Sequence, residues 1–253
     1  MNNKGQIRVG RRIYNRDGSY TDPSFPGFTT FIALTKSTTY GSLGPYELYD
    51  EKGRNMENLW QFYKVYERVD ASVQKYSRYN ATIIWDHPAE VHAVKSEDGK
   101  RWTITPEYFA WRQKGMNCKY AVRYPVGYNQ RHRCLFSLAE NEDGTVNPKP
   151  LKYIEARKAI YVPLYIKLVK EKEQFKELKE RLERGESLLI IEVDTCHQES
   201  LSYYKEKYGV TDDFIQENTM LVTKENLDIM LNDEKHPFGH GYCLAMALLD
   251  IPL

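Results

Sequence analysis

The eight residues "SLLIIEVD", Ser187 to Asp194, limit the fold of this chain more than any other stretch. Four apolar residues in succession leave no solvent face, so a strand built from them must be covered on both sides. Gly185 closes the helical pattern that precedes it. The strand then ends in Glu192 and Asp194. Taking a carboxylate out of water costs several kcal/mol unless it is paired. Glu192 therefore needs either a structural partner, such as an arginine or a helix end, or a functional task.

Around this strand the chain alternates short strands with helices. "QIRV" and "RRIY" read as strand pieces, and "GFTTFIALT" (27–35) as a β-branched and aromatic strand. "NMENLWQFYKVYERVDA" reads as a helix with Asn55 as N-cap and Glu57 in its first turn. Met56, Leu59, Trp60, Tyr63 and Tyr66 make its apolar face, with Glu57, Gln61, Lys64 and Arg68 beside it. "ATIIWDHPAEVHAV" predicts a strand, a turn at the proline and a second extended piece, and "DGKRWTI" the far side of a hairpin. Thr105 and Pro106 predict a helix start. Residues 151–184 are helical in pattern but interrupted at Pro163, as two helices or as one kinked helix. "QESLSYYKEKYG", "TKENLDIMLND" and "GYCLAMALL" complete the helices. The expected architecture is a single α+β domain over residues 1–253.

The 36 basic and 35 acidic residues leave a net charge of +1, so the overall balance names no partner. The four cysteines, Cys118, Cys134, Cys196 and Cys243, form no CxxC pair and read as free thiols. Residues 1–19 lack the apolar core of a signal peptide, and nowhere do about 18 apolar residues run together. The expectation is a cytoplasmic protein without a membrane partner, with no obligate protein partner evident.

Two constellations stand out. The first is "DEKHPFGHGYCLAMALL", where Asp233, His236, Gly239, His240 and Gly241 precede the closing helix. Glycines let a backbone approach a ligand closely, and a helix N-terminus favours an anion. The plainer alternative is an Asp-capped turn. Pro237 and the glycines argue against His236 and His240 sharing a metal from one helix, so neither a metal nor a cofactor is expected. The second is a band over residues 100–134 with eight cations against Glu107 alone. Lys119, Arg123, Arg131 and Arg133 alternate there with Tyr124 and Tyr128. Cations grip phosphates while rings stack on bases, which points to a nucleic acid; a solvated basic face is the alternative.

Taken in order, "GFTTF", "MENLWQFYKVY", "LLIIEVD" and "DEKHPFGHGYCLAMALL" resemble the motifs of the NADAR family of YbiA-like N-glycosidases. Phe238-Gly239 stands where that family has Trp-Gly, and residues 71–150 form a basic, aromatic-rich insertion without counterpart. The resemblance implies a mainly helical core with a small sheet, and hydrolysis of N-glycosidic bonds to ribose-type sugars. It further implies that Glu57 and Asp233 serve the water and the sugar cation, supported by Glu192. Trp60, Tyr63 or Trp85 would stack on the base, Gln61 or Lys64 would hold a polar edge, and Gly239, His240 and Gly241 would line the substrate. With the basic band, the expected activity is excision of a base, plain or modified, from DNA; some family members act against phage. The alternatives are hydrolysis of an ADP-ribosyl-guanine adduct or a free nucleotide, and a non-catalytic nucleic-acid-binding module.

Overall fold

In the computed structural model, the described residues are 4–33, 38–73, 75–76 and 83–253. The fold is α+β. Among the described residues eight α-helices form: α1 (Met56–Phe62), α2 (Pro106–Met116), α3 (Tyr153–Ala156), α4 (Val162–Val169), α5 (Glu173–Glu183), α6 (Leu201–Tyr208), α7 (Lys224–Asn232) and α8 (His240–Leu249). Among the described residues no helix is long and apolar enough to cross a membrane. The chain divides into two compact units, Met1–Leu48 with Val162–Leu253, and Tyr49–Tyr161. Residues 71–150 thus lie in the same unit as α1.

The first unit is built on a four-stranded mixed sheet. Leu188–Glu192 lies between Ile7–Arg11 and Thr29–Ile32 and runs parallel to both; Thr219–Leu221 pairs antiparallel to the outer side of Ile7–Arg11. All five residues of Leu188–Glu192 are buried, as the unbroken apolar run requires. α8 packs on the two central strands and against α4 and α5. Its residues His240 through Leu248 are all buried, so this helix is covered all round rather than on one stripe. The strand expected over 27–35 forms over Thr29–Ile32, and its last two positions fall outside the described residues.

In the Tyr49–Tyr161 unit, α1 packs against α2. Phe62 of α1 lies 4.5 Å from Trp111 of α2 and 4.8 Å from Trp85, ring centre to ring centre. A Cβ on Gly115 of α2 would overlap the Phe62 ring, so the two helices approach this closely only because that position is glycine. Asn55 caps α1 by accepting from the Glu57 N–H, and Thr105 caps α2 by accepting from Tyr108 N–H.

Two helical expectations change. The helix from Asn55 stops at Phe62, and Lys64–Val65 instead pairs antiparallel with Phe136–Glu140. Tyr63, Val65, Tyr66 and Val69 are β-branched or aromatic and are buried, so sheet pairing outweighs continued helix. Lys64, Tyr66 and Arg68 are therefore not on the helix. Of the two alternatives at Pro163, a split into two helices is ruled out, because the helical run passes through the proline unbroken. Pro163 sits in the first turn of α4, directly after a π-type turn over Arg157–Tyr161 that accommodates the missing N–H. The break comes at Lys170–Lys172. The hairpin around Gly99 forms as expected, pairing Ala93–Lys95 with Trp102–Ile104. In "ATIIWDHPAEVHAV" residues 81 and 82 lie outside the described residues; Ile83–Ile84 is a strand paired with Lys75–Tyr76.

Candidate functional site

The carboxylates singled out in the sequence fall in different units. Glu57 belongs to the Tyr49–Tyr161 unit, Glu192 and Asp233 to the other.

Glu57 and Gln61 of α1 and Lys64, just past its end, form one hydrogen-bonded row. Lys64 Nζ donates to Gln61 Oε1 at 2.9 Å, and Gln61 Nε2 donates to Glu57 Oε1 at 2.8 Å. Glu57 is buried, while Trp60, Gln61 and Lys64 are half-buried. Lys64 Nζ also lies 4.7 Å from the Trp60 ring, which packs 5.0 Å from Tyr161. Burial holds the Lys64 ammonium below the ordinary lysine value, against the opposing pull of Cys134 and Glu57. Trp85, by contrast, is enclosed: it is buried between Phe62 and Trp111, and its neighbours already occupy its ring faces.

The same helix anchors the basic band. Asn58, fully buried, donates to the carbonyls of Cys118 and Tyr120 at 3.0 Å each and accepts from Val122 N–H at 2.7 Å. Beyond this clamp, Arg123 lies 5.0 Å from the Tyr124 ring and Arg131 3.7 Å from Tyr128; the two tyrosines meet edge to face. Lys119, Tyr128, Arg131 and Arg133 are exposed. Arg112 leaves this set. It is buried, donating to Leu138 O at 2.6 Å and lying over Tyr63. Trp111 of the same band is likewise interior.

Glu192 and the glycines before α8 explain each other. A Cβ at Gly239 would overlap the Glu192 carboxylate, and one at Gly241 would lie 2.9 Å from Glu192 Cγ. What approaches these glycines closely is the chain's own carboxylate. Glu192 Oε1 accepts from the N–H groups of Val193 (2.7 Å) and Asp194 (3.1 Å). Its Oε2 accepts from Gly241 N–H (3.2 Å) at the start of α8 and pairs with His240 Nδ1 (2.9 Å). A carboxylate at a helix N-terminus satisfies open N–H groups and offsets the dipole. His240 Nε2 meets the carbonyl of Ala33 at 2.8 Å. A carbonyl and a carboxylate both only accept, so both ring nitrogens carry protons and His240 is an imidazolium. Burial works against both charges but is outweighed by the pairing. Glu192 is held below the usual carboxylate range and His240 above the usual histidine value.

This pair carries a pH prediction. A raised histidine stabilises the fold fully below its unfolded value of about 6.5, and that contribution disappears as pH rises through the folded value. The urea midpoint of the wild-type chain is expected to fall as pH is raised above neutrality. His240→Gln removes that slope at the cost of a lower midpoint throughout. An equal slope in both proteins would refute the assignment.

Asp233 is also engaged on every side. It ends α7, fully buried. Its Oδ1 accepts from the hydroxyls of Tyr203 (2.6 Å) and Tyr208 (3.1 Å), with Lys207 Nζ at 3.5 Å. Its Oδ2 accepts from the His236 backbone N–H (3.1 Å) and Nδ1–H (2.7 Å), with the Tyr204 hydroxyl at 3.2 Å. Burial would raise this carboxyl, but the donors from Tyr203, His236 and Tyr208 hold it well below its ordinary value. The far nitrogen of His236 reaches Ser200 Oγ at 3.4 Å, which also meets His197 Nε2 at 2.9 Å. His236 is thus part of an internal hydrogen-bond relay that fixes α6 to the segment before α8.

The sequence reading passed over one group. His87, Glu90 and His92 bring their ligand atoms within 4.8 Å of one another, the one such cluster of three or more histidine, cysteine or acidic side chains among the described residues. Its only signal in the sequence was the short "HPAEVH".

The geometry defines an α+β protein with a polar row of Glu57, Gln61 and Lys64, a tyrosine–arginine surface clamped to α1, and two saturated buried carboxylates. Compared with family models, curated proteins and solved structures, the chain matches none of them.

Proposed function

We propose that this protein is an N-glycosidase that cleaves the bond between a nucleobase and its sugar in a nucleic acid, DNA in the first instance. The observation that carries this reading is the clamp of Asn58. It ties the basic, tyrosine-rich segment to the helix bearing Glu57, Trp60 and Gln61, with Lys64 just past its end. The exposed cations would neutralise phosphates and the tyrosines would stack on bases. A base inside a duplex would be extruded for attack at C1′. In the reaction, the C1′–N bond breaks as positive charge builds on the sugar. A water oxygen bonds to C1′, and its proton passes by way of Glu57 to the departing base. Gln61 orients the Glu57 carboxylate, and Lys64 holds Gln61. Glu192 and Asp233 stabilise the fold of their own unit rather than meeting the sugar.

A second reading, a binding module without chemistry, is favoured by the saturation of Glu192 and Asp233 by donors of their own chain. One experiment separates the two. The protein is incubated with plain and base-modified DNA and with ADP-ribosyl guanine, then assayed for alkali-labile breaks and for released base. Breaks are expected with at least one DNA, and Glu57→Gln should reduce them at least tenfold at unchanged melting temperature. Replacing Arg123, Arg131 and Arg133 together by Gln should lower the salt slope of DNA binding by about 2–3. Cleavage of ADP-ribosyl guanine alone would sink the DNA preference. Salt-sensitive DNA binding with no released base from any substrate would establish the module instead.

A further inference from the structure

His87, Glu90 and His92 lie on a segment pinned on both sides by backbone hydrogen bonds. His87 exchanges both of its backbone bonds with Ser72, Glu90–Val91 pairs with Arg68–Val69, and His92 N–H donates to Glu67 O. Thr105 N–H donates to His92 O, and the Thr105 hydroxyl to Val91 O. Such fixing holds side chains in place before any ligand arrives. Glu90 Oε2 lies 3.1 Å from His87 Nε2 and 3.1 Å from His92 Nε2. Both imidazoles are buried, their side chains 3% and 0% exposed, while that of Glu90 is 25% exposed.

The two tautomers open to these rings have different consequences. If both Nε2 atoms carry protons, they donate to Glu90, and two Nδ1 lone pairs are left buried. Neither Nδ1 has a hydrogen-bond partner among the described residues. The rings are instead walled by aromatic groups: His87 stands nearly perpendicular to Trp85 and Trp111, and His92 lies against Tyr108 and Trp111. An aromatic face can accept an N–H but offers nothing to a lone pair. If the protons sit on Nδ1, that wall suits them. Both Nε2 lone pairs then face the Glu90 carboxylate at 3.1 Å, which is repulsive unless a cation lies between.

We infer that His87 Nε2, His92 Nε2 and Glu90 Oε2 form a binding site for a divalent first-row transition-metal ion of the zinc class. Two nitrogens and one carboxylate oxygen are a borderline donor set that suits such an ion and leaves a position for water. Ligands bound at about 2.0–2.2 Å lie ~3.3–3.6 Å apart around a tetrahedral centre and ~2.8–3.1 Å around an octahedral one; both nitrogen–oxygen distances, at 3.1 Å, are close to these, and the three ligand atoms together lie within 4.8 Å of one another. The inference does not depend on the glycosidase reading.

The test uses the full chain freed of metal by chelator and dialysis. Cobalt(II) is added while visible absorption is followed, and zinc is then used to displace it. One equivalent per chain is expected, with d–d bands of nitrogen and oxygen ligation. Glu90→Gln should weaken zinc binding at least tenfold. His197→Ala, in the other imidazole cluster, should leave it unchanged. No saturable uptake, equal affinity in Glu90→Gln, loss in His197→Ala, or a thiolate charge-transfer band would each overturn the site. Should Glu90→Gln fail to fold, the wild-type ring resonances decide the matter. Zinc must shift those of His87 and His92 and not those of the other four of the chain's six histidines.

Discussion

Asp233→Asn is expected to lower folding stability by about 3–5 kcal/mol, the range for breaking a buried charged network. The carboxylate takes Tyr203 and Tyr208 on one oxygen and His236, twice, on the other. An amide offers one accepting oxygen and turns an NH₂ group toward partners that donate. At least one buried donor is then unpaired, and the relay through His236 to Ser200 is lost. Urea unfolding at neutral pH measures the change. The pH dependence adds a check on sign. Because the native carboxyl titrates below its ordinary value, its stabilising effect is present above about pH 4 and fades as pH falls through the native value. The gap between wild type and variant should therefore narrow in acid. A catalytic role alone predicts the reverse pattern, with an unchanged unfolding transition and lost turnover.

Gly239→Ala should cost about 3 kcal/mol, the upper range for forcing a group into filled space. Backbone conformation is not the reason, since φ is −76° and open to any residue. Space is the reason. The new methyl would overlap Glu192 Oε2 and lie 2.8 Å from the carbonyl of Asp194, which accepts from Gly239 N–H. Either the carboxylate leaves the start of α8 and parts from His240, or the strand end moves. Because the clash is with Glu192 itself, Glu192→Ala combined with Gly239→Ala should cost clearly less than the sum of the two single changes. Strict additivity would show that the glycine answers to something else. Were Gly239 needed only for a substrate, alanine would reduce activity and leave the unfolding midpoint alone.

These two residues show how far the sequence could be read. A buried acid on an apolar strand was visible in "LLIIEVD", and so was the need for a partner. Its partners, His240 and Gly241, lie far along the chain, and no local pattern joins them to it. The glycines before α8 read as places of close approach, which they are; that Glu192 does the approaching depends on the parallel strand meeting the helix start. Asp233 read as an acid at a pocket because its three tyrosine hydroxyls come from α6, in a stretch whose pattern shows only an amphipathic helix. Glu57, Gln61 and Lys64 were legible because their spacing is local. The aromatic spacing after Phe62 suited a helix, and only the pairing of Lys64–Val65 with Phe136–Glu140 ended it.

The sequence by itself determined the α+β class, the central buried strand, the capped starts of α1 and α2, and the polar row of Glu57, Gln61 and Lys64. All of these rest on interactions within a few residues or on a run that must be covered. Tertiary structure alone decided which donors reach each buried carboxylate, that Arg112 and Trp85 lie inside while Arg131 and Tyr128 face solvent, and that His87, Glu90 and His92 converge. The physical reason is the same in each case. A charge out of water is stabilised by whatever donor packing brings to it, and packing joins residues that sequence order keeps apart.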